Sequence, residues 1–290
     1  MQGQGYFPSE CYLEEILKPM ILKHISYLKL LIITVCSLAI TGCEEPGNKD
    51  FQGNPPMKMV VEAMLTNVPG ESYVKLSLPV SKPIEESVKV SSALVVVTDG
   101  VNVSILNEDI SEPGTYRPEA TARGVSGKIY GIYFQAGNYR DSAYTYLVPV
   151  TPLGELKIAA DNSMEDRYYI SSENSDDPAM IHYLVFPPGC SGNDTCRTEY
   201  REFILSSYDV SQIFSPKKES LSFPAGSMVI RKKYSLNPPY ESYIRSLLLE
   251  TEWRGGLFDV QAGNPQGNFS ASTLGYFSGC SLVMDTVFLR

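Results

Sequence analysis

The segment Ala93–Leu106, which reads ALVVVTDGVNVSIL, decides the fold class of this chain. Its first run, Ala93–Thr98, is dense in β-branched residues, and a second alternating run, Val101–Leu106, follows the dipeptide Asp99-Gly100. β-branched side chains fit the surface of a sheet, and Asp-Gly favours the tight turns that join antiparallel strands. The segment therefore predicts a β-hairpin.

The same pattern continues on both sides of this hairpin. Short apolar runs alternate with turn residues, without helical periodicity, at 57–66, 73–78, 113–116, 127–134 and 143–150. Seven short strands at this spacing predict an immunoglobulin-like β-sandwich over residues 57–151. The Cys…Trp…Cys core of antibody domains is absent, so the prediction concerns the architecture alone.

A second β-rich region is predicted over residues 152–290, after the turn Thr151–Gly154. Strand-like runs follow at 155–160, 167–171, 180–186, 200–206, 221–223 and 228–234, with two more within 273–289. The predicted fold class is thus mainly β. It consists of an N-terminal immunoglobulin-like β-sandwich followed by a second antiparallel β domain carrying one docked α-helix.

The docked helix is the one stretch with convincing helical periodicity. Apolar residues recur at i, i+3, i+4, i+7 and i+8, as Tyr240, Tyr243, Ile244, Leu247 and Leu248. Asn237 suits the cap position, Pro238 suits the first turn, and Gly255-Gly256 suits the end. These signals predict a helix at about 238–254.

The N-terminal region resembles a secretion signal that ends in a lipidation site. The predicted signal peptide, residues 20–42, contains an apolar run, Leu30–Ile40, that is too short to span a bilayer. The sequence ITGC resembles a bacterial lipobox, in which cleavage between Gly42 and Cys43 leaves a cysteine that carries acyl chains such as palmitate. A buried helix or an uncleaved membrane anchor is the alternative. Residues 1–19 carry no signal character and are interpreted as an over-extended gene start.

Cys43 is predicted to anchor the mature protein through its lipid. Stable anchoring to a bilayer requires more than one acyl chain, which this type of modification supplies. Residues 43–56 are polar and rich in Gly, Pro and Asn, which is typical of a flexible tether. The acidic pair Glu44-Glu45 resembles a surface-export signal, although two Glu residues also solubilise a linker. We expect an outer-membrane protein, lipid-anchored and facing the cell surface.

The charge of the chain argues against one class of partner. Lys and Arg number 24 against 33 Asp and Glu, a net charge of −9 that removal of residues 1–42 would leave unchanged. Nucleic-acid binding depends on clustered basic residues, so no nucleic-acid partner is expected. A hydrophobic content of 43% supports a folded core.

The remaining cysteines are predicted to have structural roles. Cys190 and Cys196 flank a turn-rich segment in a chain expected to leave the cytoplasm, which favours a disulfide. Two free thiols are the alternative, and zinc is weaker because only one histidine follows the signal region. Cys280 lies in an apolar run and is interpreted as a small buried hydrophobe.

No catalytic or metal-binding constellation stands out in the sequence. His182 lies in an alternating run, which favours a structural role over a Ser-His-Asp triad. Carboxylates cluster at 161–166 and 173–177, but their spacing departs from the EF-hand pattern, so a solvated loop is favoured over calcium. We expect no metal and no cofactor besides the covalent lipid.

Aromatic residues supply the candidate ligand contacts. The chain has 19 Tyr and a single Trp, Trp253. Such side chains can stack on sugars or line peptide grooves, although in β proteins they are more often strand and core residues. Trp253 and Arg254, at the end of the predicted helix, are the candidate ligand-binding residues.

Several short motifs together resemble a known family. They are Val60–Asn67, Ala93–Thr98, Tyr208–Phe214, the PPYxxYI motif of 238–244, Gly267–Phe269 and Leu274–Phe277. In order and spacing, over residues 43–290, they are similar to a family of Bacteroidota outer-membrane lipoproteins classed as a domain of unknown function, DUF4249. Its members are often encoded beside TonB-dependent receptors, so the resemblance implies an accessory role at the outer membrane. It carries over no catalytic residue.

Three functional hypotheses follow. The first is a non-enzymatic surface lipoprotein that captures a glycan, peptide or other nutrient for a TonB-dependent receptor. The second is an adhesin or envelope-structural subunit that uses the sandwich as a spacer. The third is a glycan or peptide hydrolase, since a catalytic carboxylate pair need not be adjacent in sequence. The lipobox, the two β-rich regions and the lack of a catalytic constellation favour the first.

Overall fold

Pro55–Arg290 form one compact unit in the computed structural model of the chain. The structure describes residues 58–80, 85–172, 175–190, 196–216, 220–256, 263, 265–270 and 272–290. The predicted signal peptide, the cleavage site between Gly42 and Cys43, and the tether lie outside the described residues. Neither of the helices described is long and apolar enough to cross a membrane.

The described residues contain fifteen strands and two helices. The strands are β1 (Met59–Thr66), β2 (Tyr73–Ser77), β3 (Leu94–Thr98), β4 (Val103–Glu108), β5 (Thr115–Arg117), β6 (Ile129–Ala136), β7 (Tyr139–Tyr146), β8 (Ile158–Ala160), β9 (Arg167–Ile170), β10 (Ala179–Phe186), β11 (Thr198–Ile204), β12 (Ser222–Pro224), β13 (Met228–Ser235), β14 (Thr273–Cys280) and β15 (Leu282–Phe288). The helices are α1 (Val210–Ile213) and α2 (Pro238–Glu250). The predicted mainly-β fold class is confirmed.

The first seven strands and β14 form one eight-stranded sheet, in the order β14-β1-β2-β5-β4-β3-β6-β7. Neighbouring strands are antiparallel except β1 and β14, which run parallel with Val61 opposite Gly275. The hairpin predicted at Ala93–Leu106 is present as β3 and β4, with Thr98 opposite Val103. The eighth strand, β14, comes from the far end of the chain. Whether residues 57–151 and 152–290 fold independently stays a prediction.

The core of this sheet follows from the alternation of side chains along each strand. Met59, Val61, Ala63 and Leu65 of β1 all point into one buried cluster. Leu76, Val95 and Phe134 complete its centre, each with 0% of its surface exposed. The alternation of apolar residues in the sequence therefore matches the alternation of buried side chains in the strand. For this reason the sequence pattern locates this part of the fold.

Strand β7 begins four residues earlier than the run 143–150 predicts. The turn before it consists of Gly137, at φ +56°, and Asn138, after which Tyr139 begins the new strand. A glycine in the left-handed region at the first central position suits a two-residue turn between antiparallel strands. Gly137-Asn138 is therefore a hairpin turn that the sequence reading missed.

The two ends of the eight-stranded sheet, β7 and β14, lie against each other. Asn268 bridges them, because its Nδ2 donates to the carbonyls of Tyr144 and Phe277, both at 2.9 Å, while its Oδ1 accepts from Phe277 N at 2.9 Å. Gly267 lies so close to β14 that a Cβ there would overlap the carbonyl oxygen of Gly275. The Gly267–Phe269 motif thus closes the sheet on itself.

Two smaller sheets complete the fold, one four-stranded (β11-β10-β13-β15) and one three-stranded (β12-β9-β8). Alternate side chains of β13 hold the segment that leads out of the first sheet. Ser235 Oγ donates to Val148 O at 2.8 Å, Lys233 Nζ to Pro152 O at 3.4 Å, and Arg231 Nη2 to Gly154 O at 2.8 Å. The turn Thr151–Gly154 is therefore fastened along one strand.

Helix α2 begins where its sequence predicts and ends earlier. Asn237 Oδ1 accepts from Tyr240 N at 3.0 Å, and prolines occupy the first turn. The helix ends at Glu250 instead of 254, because Thr251 leaves helical geometry and Trp253 N turns back to Leu248 O at 2.9 Å. The short helix α1, capped by Asp209, was not predicted.

Candidate functional site

A cleft of about 320 Å³ lies between helix α2 and the outward face of β1 and β14. We call it the tyrosine cleft, because Tyr73, Tyr240, Tyr243 and Tyr276 all line it. Strands β10 and β11 supply its remaining wall through Met180, Arg201 and Phe203. Its volume lies at the lower end of the range for small-molecule sites in proteins.

Three of the tyrosine rings form one stacked group. The ring centroids of Tyr243 and Tyr276 are 4.8 Å apart, those of Tyr240 and Tyr276 are 5.1 Å apart, and those of Tyr240 and Tyr243 are 6.3 Å apart. Such offset arrangements contribute about 0.5–1.5 kcal/mol per pair beyond the burial of surface. Tyr240 and Tyr276 are buried, while Tyr243 is half-buried. The group therefore offers a fixed aromatic floor with one accessible ring.

Helix α2 holds this floor in place through buried polar contacts at its first turn. Asn237 Nδ2 donates to Tyr146 O at 2.8 Å, which ties the helix start to β7. Glu241 is buried and accepts from both the backbone N and the Oγ of Ser206 at 2.7 Å. Arg245 Nη2 lies 3.4 Å from Glu241 and forms an i,i+4 ion pair with it on the helix. These anchors keep Tyr240 and Tyr243 in register with β14.

The tyrosine cleft has one carboxylate at its rim, Glu62. Tyr73 Oη donates to Glu62 Oε1 at 2.7 Å. Burial and then the adjacent Glu62 raise the pKa of both Tyr73 and Tyr243. Burial also raises the pKa of Tyr276 to about 12. The phenols consequently stay neutral at physiological pH and act as hydrogen-bonding groups.

The cleft has one cation at its rim, Arg201. Its side chain is exposed, and among the described residues no carboxylate pairs with it and no hydrogen bond engages it. A guanidinium offers five donors in a planar fork, which suits carboxylates, phosphates and clustered hydroxyls. Arg201 thus places uncommitted donors beside the aromatic floor, and Glu62 places there a carboxylate that Tyr73 engages through one oxygen.

The predicted ligand residues Trp253 and Arg254 lie outside the tyrosine cleft. Trp253 is only 7% exposed and contributes to the core beneath α2, where it lines a second, polar cavity of about 260 Å³ that shares Arg201 and Phe203 with the tyrosine cleft. Arg254 is exposed and lies 3.8 Å from Glu250. Trp253 shares that cavity with Arg201, whereas neither Trp253 nor Arg254 lines the space beside Tyr243. Their role in ligand binding stays a prediction.

The other residues that the sequence analysis singled out make contacts within the fold and lie outside the tyrosine cleft. Cys190 and Cys196 form a disulfide with Cα atoms 5.9 Å apart, and Cys280 is fully buried, which raises the pKa of its thiol to about 12. His182 Nε2 lies 3.5 Å from Glu199, and burial lowers the pKa of the imidazole. Asp161 Oδ1 accepts from Ser163 N and Oγ within its turn. Across the described ranges, no cluster of three or more metal-ligating side chains occurs.

The residues of the cleft come from three of the motifs that carry the sequence resemblance. Val60 and Glu62 belong to Val60–Asn67, Tyr240 and Tyr243 to the helix motif, and Tyr276 to Leu274–Phe277. Sequence reasoning noticed these motifs but assigned them no common site. It missed Tyr73 and Arg201, whose only signal is their placement on alternating strands.

Comparison with known proteins identifies a family and gives no function. A search of curated proteins returns no match to this chain. The family model described as Domain of unknown function (DUF4249) matches residues 44–285, which is most of the sequence. The chain therefore belongs to the DUF4249 family.

Proposed function

We propose that this protein is a lipid-anchored, non-enzymatic ligand-capture protein of the outer-membrane surface, accessory to a TonB-dependent receptor. The lipobox at Cys43 and the tether of residues 43–56 support the anchoring. The tyrosine cleft supports the capture of a ligand. The proposal leaves the chemistry to the receptor and gives this chain a binding role.

One observation carries the binding role, namely the convergence of family-like motifs on the tyrosine cleft. Strand β1, helix α2 and strand β14 each contribute, and Arg201 faces the same space without a carboxylate partner among the described residues. A buried aromatic group with accessible polar groups at its edge is the usual composition of a ligand site. Structural packing alone does not require an unpaired cation there.

The cleft chemistry favours a ligand with a flat apolar face and a polar periphery. Tyr243 and the ring group beneath it suit stacking against a pyranose ring or a planar side chain. Glu62 and Arg201 at the rim suit hydroxyls, amides or a carboxylate. Oligosaccharides and short peptides are the classes that combine these features.

The ionisable groups of the cleft favour binding over catalysis. A general acid or base works best when its pKa lies near the operating pH. The pKa values of the tyrosines are raised above their ordinary value of 10, and Glu62 is engaged by Tyr73. These groups are suited to hold a ligand in place rather than to transfer protons at neutral pH.

The partner is tested by affinity purification of the full chain from cell membranes in a mild detergent. We expect a TonB-dependent receptor to co-elute. Recovery of the chain alone, while the receptor is present in the same membranes, would contradict the accessory role. Loss of cell attachment after gene deletion, with nutrient uptake unchanged, would instead favour the adhesin alternative.

The anchor is tested by the substitution Cys43→Ser. We expect the variant to leave the membrane fraction or to remain unprocessed, because the acyl chains have no acceptor thiol. Membrane fractionation detects release from the membrane, and intact-mass measurement detects the unprocessed chain. A processed variant that stays bound to the membrane would contradict the lipid-anchor proposal.

The cleft is tested by titrating the full chain with a panel of soluble oligosaccharides and short peptides. For any ligand found, Tyr243→Ala and Arg201→Gln should each weaken binding about tenfold, as expected for loss of one stacked ring or one charge-assisted hydrogen bond. Tyr208→Ala is the matched control, since Tyr208 is exposed and does not line the cleft. Equal losses in all three variants would argue against this site.

A further inference from the structure

A second cavity, of about 250 Å³, opens at one end of the eight-stranded sheet. We call it the end cavity; it lies where β1 and β3 end and where β2 and β4 begin. Its lining is mostly apolar and includes one side chain from each of five strands, namely Leu65, Val74, Val97, Leu106 and Phe277. This interior space is larger than the engineered cavities of about 150 Å³ that bind benzene.

Two polar groups in the wall of the end cavity already have partners. Ser72 Oγ accepts from Thr66 N at 2.9 Å, and Tyr130 Oη accepts from Val125 N at 2.9 Å. Water held against the apolar wall would find few hydrogen bonds in exchange for those of bulk solvent. An apolar molecule of matching size therefore replaces such water at a gain in free energy.

The mouth of the end cavity has an excess of positive charge. Asp99 accepts from Asn102 N at 2.7 Å and from Val101 N at 3.1 Å, and these hydrogen bonds hold the pKa of its carboxyl well below the usual range. Lys128 Nζ lies 3.5 Å from the same carboxylate. Arg123 is exposed at the mouth, and no carboxylate among the described residues pairs with it. One cation is thus left for a ligand.

We propose that the end cavity binds a small amphipathic carboxylate, with its apolar body inside the sheet and its carboxylate at Arg123. The proposal goes beyond ligand capture at the tyrosine cleft and does not depend on it. Met64 and Tyr73 line both cavities, while Arg123 lines the end cavity and Arg201 lines the cleft. One chain would then carry two sites of different chemistry.

The test uses two probes of similar size, 4-phenylbutyrate and its uncharged amide, titrated into the purified full chain by isothermal calorimetry. We expect the acid to bind about tenfold more tightly than the amide, as one charge-assisted hydrogen bond provides. Arg123→Gln should remove this preference. Arg140→Gln is the matched control, because Arg140 is exposed on β7 and outside the cavity lining.

A second variant fills the cavity. Ala122→Phe places a ring in the lining and should weaken both probes at least about tenfold, while Tyr243→Ala in the tyrosine cleft should leave both unchanged. If Ala122→Phe fails to fold, the unmodified chain with labelled methyl groups serves instead. There, nuclear Overhauser contacts should join the ring of the probe to the methyl groups of Val97 and Leu106.

Three results would overturn the inference. The first is a chain that binds neither probe. The second is binding that is lost in Tyr243→Ala but kept in Ala122→Phe, since this would move the probe to the tyrosine cleft. The third is binding without any contact between the probe and the methyl groups of Val97 and Leu106. Each result would leave the proposed role of the tyrosine cleft standing.

Discussion

The two faces of strand β1 differ in composition, although they belong to the same eight residues. Met59, Val61, Ala63 and Leu65 point into the apolar core, whereas Val60, Glu62 and Met64 face the tyrosine cleft. The inner face is uniformly apolar, and the outer face combines a carboxylate with aromatic neighbours. Because strand side chains alternate, one strand can hold the fold together on one side and present a site on the other.

The buried cluster into which the inner face of β1 points is expected to dominate stability, and Phe134 of β6 belongs to it. Phe134 has no exposed surface and packs against Phe269 with ring centroids 6.0 Å apart. Phe134→Ala should lower the free energy of unfolding by about 3–5 kcal/mol, through lost burial and the cavity left behind. Urea denaturation of the purified chain measures this loss.

The matched control for Phe134→Ala is Ile129→Ala on the same strand, where the side chain is exposed. Its unfolding free energy should change by no more than about 0.5 kcal/mol. A similar loss in both variants would mean that the inner face carries no special share of stability, and the comparison between the two faces would fail.

The close approach of β14 to β1 makes the backbone sensitive to substitution at Gly275. Its φ is +106°, and a Cβ there would overlap the carbonyl oxygen of Val61 on β1. Gly275→Ala should cost about 2–4 kcal/mol, because strain at positive φ adds to the displacement of a neighbouring backbone. Thermal and urea unfolding would report it, together with weaker ligand binding at the tyrosine cleft, which Gly275 also lines.

Gly70→Ala separates the two causes of that loss. Gly70 has φ +82°, but a Cβ there would meet no atom within 4 Å. The control should therefore lose only the strain of positive φ, about 1 kcal/mol. Equal losses at Gly70 and Gly275 would show that close approach of β1 and β14 contributes nothing.

The inner face could be predicted from sequence, whereas the outer face could not. Alternation in Ala93–Leu106 and in 57–66 identifies strands and their buried sides, because period and burial are local properties. The tyrosine cleft combines Tyr73, Arg201 and Tyr276 from three strands, and only the tertiary fold brings them together. The parallel pairing of β1 with β14 has no local signal either.

The outer face should make stability sensitive to alkaline pH. Burial raises the pKa of Tyr276 to about 12, above its ordinary value of 10. The folded chain therefore keeps a proton that the unfolded chain releases between those values. The stabilisation from neutral Tyr276 is complete below pH 10 and is lost as the pH rises towards 12.

Tyr276→Phe should flatten this loss. Between pH 10 and 12, the slope of unfolding free energy against pH should correspond to about one proton fewer released on unfolding than in the unmodified chain. Urea midpoints measured from pH 8 to 12 give the slope. Tyr208→Phe, at an exposed position, should leave it unchanged. An unaltered slope in Tyr276→Phe would argue against a buried phenol in the cleft.

The smallest expected effect concerns Arg254, the residue that sequence alone connects with a ligand. Its side chain is 57% exposed, and its carboxylate partner Glu250 lies 3.8 Å away, beyond hydrogen-bonding distance. Arg254→Ala should change the unfolding free energy by less than about 0.5 kcal/mol, because exposed ion pairs are screened by water.

Comparison of Arg254→Ala with Arg201→Gln tests the ligand residues predicted from sequence against the tyrosine cleft. Both substitutions remove one exposed cation, so a general electrostatic effect on an acidic or basic ligand would appear in both variants. A direct role in the cleft would appear in both Arg201→Gln and Tyr243→Ala, because Arg201 lines the cleft and the Trp253 cavity, whereas Tyr243 lines the cleft alone of the two. Calorimetric titration of all three variants with the same ligand decides between the sites. Weakened binding confined to Arg254→Ala would instead place the site at the end of helix α2, near the polar cavity that Trp253 lines.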